Sequence, residues 1–176
     1  MRVPTLRDAG LVLRPKRLAD AEAITAACQD PEIPRWTFVP SPYSLEDARS
    51  FLRISAEEEA AGKSVNLLAV DAADDRLLGS FSMMELDFEP GYGEIGYWVA
   101  AEARGRGIAT RAVRMLADWA RAELGLTRIA VMPHKDNVAS RRVAEKAGFT
   151  DTGELARAPR GGAEEPVYAV YAWTAT

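Results

Sequence analysis

The stretch Arg104-Gly105-Arg106-Gly107-Ile108-Ala109 constrains the fold of this chain more than any other. An apolar, aromatic run over residues 94–99 precedes it and reads as a strand, and residues 110–124 follow it and read as a helix. A glycine-rich turn from strand to helix leaves the first backbone N–H groups of the helix without intrahelical partners, at the positive end of its macrodipole. Such a turn is an anion site suited to a phosphate or pyrophosphate. Gly105 and Gly107 lack a Cβ, so a ligand can approach the backbone and φ is unrestricted. Arg104 and Arg106 add positive charge. A plain strand–helix turn with two solvated arginines fits the same letters, because short glycine motifs are common.

The rest of the chain narrows the choice. Its 176 residues suit one domain, residues 1–176, with a real core, since 48% are hydrophobic and 27% charged. A net charge of −4 argues against binding nucleic acid through a basic surface and fits a basic or amine-bearing partner better. One cysteine, Cys28, excludes a disulfide framework. Together with one histidine, His134, it leaves little for a metal site or a Ser-His-Asp triad, so no metal is expected. No apolar run approaches the roughly 20 residues that span a membrane. Met1-Arg2-Val3-Pro4-Thr5 lacks the apolar core of a signal peptide, so the expectation is a cytoplasmic protein.

Taken in order, residues 11–15 read as a short strand ending at Pro15. Asp20 is placed to cap a helix through Ala21, Ile24, Ala27 and Cys28, with Cys28 on its buried side. Residues 31–42 are rich in proline and read as a loop, whose Trp36 and Phe38 either line a ligand channel or cover the core. Ser44, with Glu46 and Asp47 after it, starts a helix over 45–61 that Gly62 ends. Residues 65–70 and 77–87 read as strands of a hairpin. Beyond the glycine turn, Ala112, Val113, Leu116, Trp119, Ala120 and Leu124 form a broad apolar helix face closed by Gly125. Residues 128–132 should then lie parallel to the strand at 94–99, in a right-handed β-α-β unit. A helix over 138–147 follows, and two final strands, 149–154 and 166–173, are joined across 157–165. That connection carries Pro159-Arg160-Gly161-Gly162 and reads as mobile.

Two motifs give the chain a resemblance to the GNAT superfamily of acyl-coenzyme A-dependent N-acyltransferases. Arg104-x-x-Gly107-x-Ala109 matches the family's pyrophosphate turn. Asn137-x-x-Ser140-x-x-Val143-x-Glu145-Lys146-x-Gly148-Phe149 matches its second motif, one helix and one strand further on. The runs at 10–15 and 93–99 also look like the subgroup that acetylates the N-termini of ribosomal proteins. The resemblance implies an α/β fold: a central mixed sheet of six to seven strands, its parallel strands splayed, flanked by about four helices.

It also implies roles for residues. The backbone of Arg104, Gly105, Arg106, Gly107, Ile108, Ala109 and Thr110 would cradle the pyrophosphate of acetyl-CoA. The pantetheine arm would pair with the backbone at Trp98 and Val99 as an added strand. Asn137 would hold the arm through its side-chain amide, and Ser140, one helical turn beyond, would reach the thiol. Glu94 is the candidate base, sharing one face of its strand with Gly96 and Trp98 by period-two alternation. A plain polar residue at a strand start also fits Glu94, and Glu85 and Asp87 are rivals. Trp36 and Glu85 are the expected contacts of the acceptor. Many members carry a tyrosine two residues before the lysine of the second motif, as general acid. Here that position is Ala144, which leaves Ser140, four residues earlier on the same face, as the substitute. His134 reads as an exposed loop residue or a contact on the adenine side.

The reading is an acetyltransferase using acetyl-CoA and an amine acceptor, with a protein N-terminal α-amine first. A small amine (an aminoglycoside, a polyamine or an amino-acid-like compound) comes second. A non-catalytic acyl-CoA-binding module stands as the rival from another class. The glycine turn lacks the Gly-Lys-Ser/Thr of an ATP-binding loop. The fold admits a homodimer through the terminal strands.

Overall fold

The structure, a computed structural model, describes residues 3–157 and 166–175. Its strands are β1 (Leu6–Asp8), β2 (Leu11–Pro15), β3 (Val65–Asp71), β4 (Leu77–Asp87), β5 (Tyr92–Val99), β6 (Arg128–Val131), β7 (Thr150–Arg157) and β8 (Val167–Thr174). They form one sheet in the order β1-β2-β3-β4-β5-β6-β8-β7. Neighbours are antiparallel except β5 and β6, which are parallel as the β-α-β reading requires. The helices are α1 (Ala21–Ala27), α2 (Glu32–Trp36), α3 (Leu45–Ala60), α4 (Ile108–Leu124) and α5 (Val138–Ala147).

Two helical layers sandwich the sheet. On one face α4 and α5 set Val113, Leu116 and Ala144 against Phe81, Ile95 and Ile129. On the other, α1 and α3 set Ile24, Cys28 and Leu52 against Val12, Leu68 and Trp98. Strand β5 alternates between them: Ile95, Tyr97 and Val99 pack with the α4/α5 layer and Trp98 with the α1/α3 layer. The Cys28 thiol is buried packing, and burial pushes its pKa up to about 12.

Among the described residues, eight strands and five α-helices exceed the expected six to seven and about four, and the additions have local causes. Strand β1 is three residues long, too short to show periodicity, and reaches β2 through Ala9 and Gly10, both with positive φ (28° and 87°). Helix α2 lies inside the stretch read as a loop. Pro31 is its N-cap and Pro34 falls in its first turn, where a backbone N–H has no intrahelical partner to lose. Asp20 occupies the N-cap position of α1, but its side chain makes no capping bond there. Its carboxylate instead accepts the Arg17 N–H at 2.7 Å, closing a 3-10 turn over Leu18–Asp20, and pairs with the buried Arg14 at 2.8 Å. Strand β7 runs on to Arg157, and the segment with Pro159, Arg160, Gly161 and Gly162 lies outside the described residues.

The feature that positions the site is the short reach of the parallel pair. β5 pairs with β6 at Tyr92, Gly93 and Glu94 only, whereas its pairing with β4 continues to Val99. Beyond Glu94 the two parallel strands part, and an opening runs between β5 and the segment from β6 into α5.

Candidate functional site

The glycine turn stands at one end of this opening. Gly105 and Gly107 have φ of +73° and +74°, the left-handed region that glycine occupies without strain. Gly107 is the N-cap of α4 and supplies no side chain, so the first intrahelical bond is Arg111 N–H to Gly107 C=O. The N–H groups of Ile108, Ala109 and Thr110 are therefore left at the helix end. A Cβ on Gly105 or Gly107 would meet nothing within 4 Å, so the space beside the turn is open. Arg106 is exposed there, with no side-chain partner among the described residues. Arg104 is committed elsewhere. Its Nε and Nη2 donate to the Val99 carbonyl at 3.1 and 3.0 Å, and Nη2 also pairs with Asp30 at 2.5 Å. From this residue the turn offers its backbone, while the side chain ties the end of β5 to the segment that leads into α2.

Along the opening, the edge of β5 presents unpaired backbone. Ala100 N–H donates to Leu78 C=O, which fixes the phase of the β4–β5 ladder. In an antiparallel pair every second residue points at its partner, so Trp98 faces Ser80 while Tyr97 and Val99 face the opening. This corrects the expectation for Trp98. Its backbone belongs to the β4 ladder and its ring to the α1/α3 core, so an added strand has Tyr97 and the Val99 N–H to pair with.

The titratable groups sit on opposite faces of β5. Glu94 is the last residue paired with β6 and shares the α1/α3 side with Gly96 and Trp98, as alternation predicts. Burial, then the charge of Glu85, raises its carboxyl to about 7. Glu85 is exposed at a bulge of β4, with φ of 49°. On the other face the Tyr97 ring stacks on Phe81, with centroids 5.3 Å apart and planes at 9°. Its hydroxyl lies 2.7 Å from Ser140 Oγ, and burial raises the phenol to about 12. Ser140 is in the first turn of α5, whose N-cap is Asn137: Asn137 Oδ1 accepts the Ser140 N–H at 3.0 Å. That leaves the Asn137 Nδ2 for a ligand. Ala144 is fully buried under α5, in the core rather than the opening.

Tyr97 is the residue that reading the sequence missed. The aromatic run at 94–99 was noted, and alternation there already sets Tyr97 opposite Glu94, but no local pattern links it to a serine 43 residues away.

The α1/α3 side of the opening is crossed by α2. Ile33 is buried in that layer, while the Trp36 ring meets His134 beyond β6, with centroids 5.6 Å apart. His134 also meets Tyr168 edge-on at 6.0 Å. It is thus part of an aromatic cluster on the Trp36 side. Phe38, 62% exposed, extends the cluster outward. Trp36 Nε1 donates to Glu32 at 3.0 Å, and the Glu32 N–H donates to Asp30 at 3.1 Å, so Asp30 anchors both the start of α2 and Arg104. Among the described residues no group of three or more His, Cys, Asp or Glu is placed to hold a metal ion, and no helix is long and apolar enough to cross a membrane.

Comparison with known proteins agrees with this fold. The sequence profile of the acetyltransferase (GNAT) domain matches residues 10–150. The chain is 42% identical over 81 residues to YdaF of Bacillus subtilis, provisionally named a ribosomal N-acetyltransferase, a match spanning 46% of this chain and only 44% of that protein. It is 30% identical over 154 residues to YoaA of Bacillus subtilis, an uncharacterized N-acetyltransferase, with 86% of each chain covered. The fold is similar to that of Mycobacterium smegmatis RimJ solved with a coenzyme A disulfide: the TM-score is 0.84 at 23% identity, over 98% of this chain and 87% of that one.

Proposed function

The chain belongs to the acetyltransferase (GNAT) family, and from that premise we propose that it transfers the acetyl group of acetyl-CoA to the α-amino group at the N-terminus of a protein. The observation that carries this reading is the parting of β5 from β6 at Glu94, with a carboxyl there held near neutrality.

Acetyl-CoA is the acyl donor. Its pyrophosphate would take the N–H groups of residues 107–110 and the charge of Arg106. Its pantetheine arm would pair with Tyr97 and the Val99 N–H, and the Asn137 Nδ2 would hold it from across the opening. The thioester then lies where the strands part, with Glu94 on the α1/α3 face of β5 and Ser140 on the α4/α5 side. The amine enters from the Glu94 side, beside Trp36 and Glu85. Its lone pair attacks the thioester carbonyl, and Glu94 takes the proton that the nitrogen sheds. As the intermediate collapses, the C–S bond breaks with its electron pair on sulfur, and the Ser140 hydroxyl donates a hydrogen bond to that sulfur. Glu94 releases its proton to water and the thiolate gains one from water.

An α-amine suits this base. A free α-amino group has a pKa of about 7.7–8.0, against about 10.4 for a lysine side chain, so a carboxyl near 7 can accept its proton with little driving force lost. YdaF, named for ribosomal N-acetylation, supports a protein acceptor. The exposed Phe38 beside Trp36 fits a peptide chain continuing outward. A small cationic amine is the second reading, favoured by the exposed carboxylate of Glu85 next to Glu94.

Thiol release from acetyl-CoA tests the proposal, measured against peptides with free Ser or Ala N-termini, polyamines and aminoglycosides. Release with the peptides alone is the expected result. Release with a small amine alone moves the assignment to the second reading. No release, with coenzyme binding intact by calorimetry, overturns the transferase reading for this panel.

A further inference from the structure

We propose that Tyr97 is a positioning residue that aims the Ser140 hydroxyl hydrogen at the leaving sulfur. The inference rests on the acetyl-transfer reading above and deepens it.

A serine hydroxyl has one hydrogen and rotates freely about its Cβ–Oγ bond. To donate to sulfur it must keep that hydrogen pointed into the opening. Tyr97 Oη stands 2.7 Å from Ser140 Oγ, and this contact joins the two elements that flank the opening, β5 and α5. Either oxygen can be the donor in such a pair. The phenol is held protonated through the working pH range, since burial lifts it to about 12, so it always has a hydrogen to give. Its ring is fixed by stacking on Phe81, which restricts that hydrogen to the ring plane, and one of its two in-plane directions points at Ser140 Oγ. When Tyr97 donates, Ser140 Oγ is occupied as an acceptor, and its own hydrogen turns away from Tyr97. The Ser140 backbone is fixed as well, through its N–H to the Asn137 cap. The position at which many family members carry a tyrosine is Ala144, fully buried and without a group to donate. A phenol thus reaches the leaving-group side from the strand, acting through serine and not on sulfur directly.

The test is a double-mutant cycle of Tyr97→Phe and Ser140→Ala, using acetyl-CoA and the best acceptor peptide. Tyr97→Phe keeps the ring on Phe81 and removes only the hydroxyl. It should lower kcat about tenfold, the worth of one aligned hydrogen bond, with KM for acetyl-CoA and the melting temperature close to wild type. Ser140→Ala should lower kcat at least as much. The double variant should be no slower than Ser140→Ala alone, because Tyr97 has nothing left to aim. In Ser140→Thr, which retains a hydroxyl, Tyr97→Phe should again cost about tenfold. Multiplying effects, or a Tyr97→Phe enzyme as fast as wild type beside an impaired Ser140→Ala, would overturn the assignment while leaving acetyl transfer intact. A harmless Ser140→Ala would overturn the role of both hydroxyls. A wild-type protein that transfers no acetyl group would overturn the proposed function, and this inference with it.

Discussion

Glu94 makes opposite demands on stability and on catalysis. Its carboxyl is buried beside Glu85 and titrates near 7, above its range in an unfolded chain. Between about pH 4.3 and pH 7 the folded protein therefore holds a proton that the unfolded chain has lost, and stability falls as pH rises through that window. Glu94→Gln removes the ionisable group. Its melting temperature should match wild type at pH 4.5 and exceed it by roughly 5 °C at pH 8, read by calorimetry. Activity should move the other way. The wild-type kcat should rise with pH through about 7, and Glu94→Gln should lose that limb along with about a hundredfold of kcat at pH 7.5. A variant that keeps both rate and pH profile would show Glu94 to be only a polar residue at a strand end.

At the level of elements, the helices that frame the opening could be read from local pattern. Apolar spacing and Gly125 located α4, which begins two residues before the expected start, and α5 spans the expected 138–147. Those signals act within a few residues, which is why they are visible in sequence. Helix α2 was hidden because prolines argue against a helix everywhere except at its N-cap and in its first turn, where Pro31 and Pro34 fall. The Arg104–Asp30 ion pair was hidden for another reason: it joins segments distant in sequence, and Arg104 already had a reading as part of the glycine turn. The pair links the glycine turn to the start of α2, whose Glu32 N–H also donates to Asp30. Asp30→Asn removes the charge that Arg104 pairs with and weakens the anchor of α2. KM for the acceptor peptide should rise about tenfold while KM for acetyl-CoA changes less than twofold, with each substrate varied in initial-rate measurements. An equal rise in both constants would mean that Asp30 supports the glycine turn alone.

For the whole molecule, the sheet is a scaffold with a slot through it. The two helical layers cover opposite faces, and β5 continues past the point where its pairing with β6 ends, so in the proposed reaction donor and acceptor would reach the thioester from different sides. A coenzyme that completes this edge should stabilise the whole fold. At a hundred times its Kd, coenzyme A should add about 2.7 kcal/mol and raise the melting temperature by roughly 5–10 °C. Amide exchange should slow at Val99 and at residues 107–110, where new hydrogen bonds form, and not at Trp98, whose N–H faces β4. Protection spread evenly over the sheet would point to general tightening instead of an added strand.

The central claim, transfer to an α-amine, is tested most directly by locating the acetyl group on one peptide that offers both kinds of amine. The peptide carries a free N-terminal serine and an internal lysine, and is incubated with protein and acetyl-CoA at pH 7. Fragmentation mass spectrometry then reads the site. Acetyl on the N-terminal nitrogen alone is the predicted result, and acetyl on the lysine nitrogen, or on neither, would contradict it.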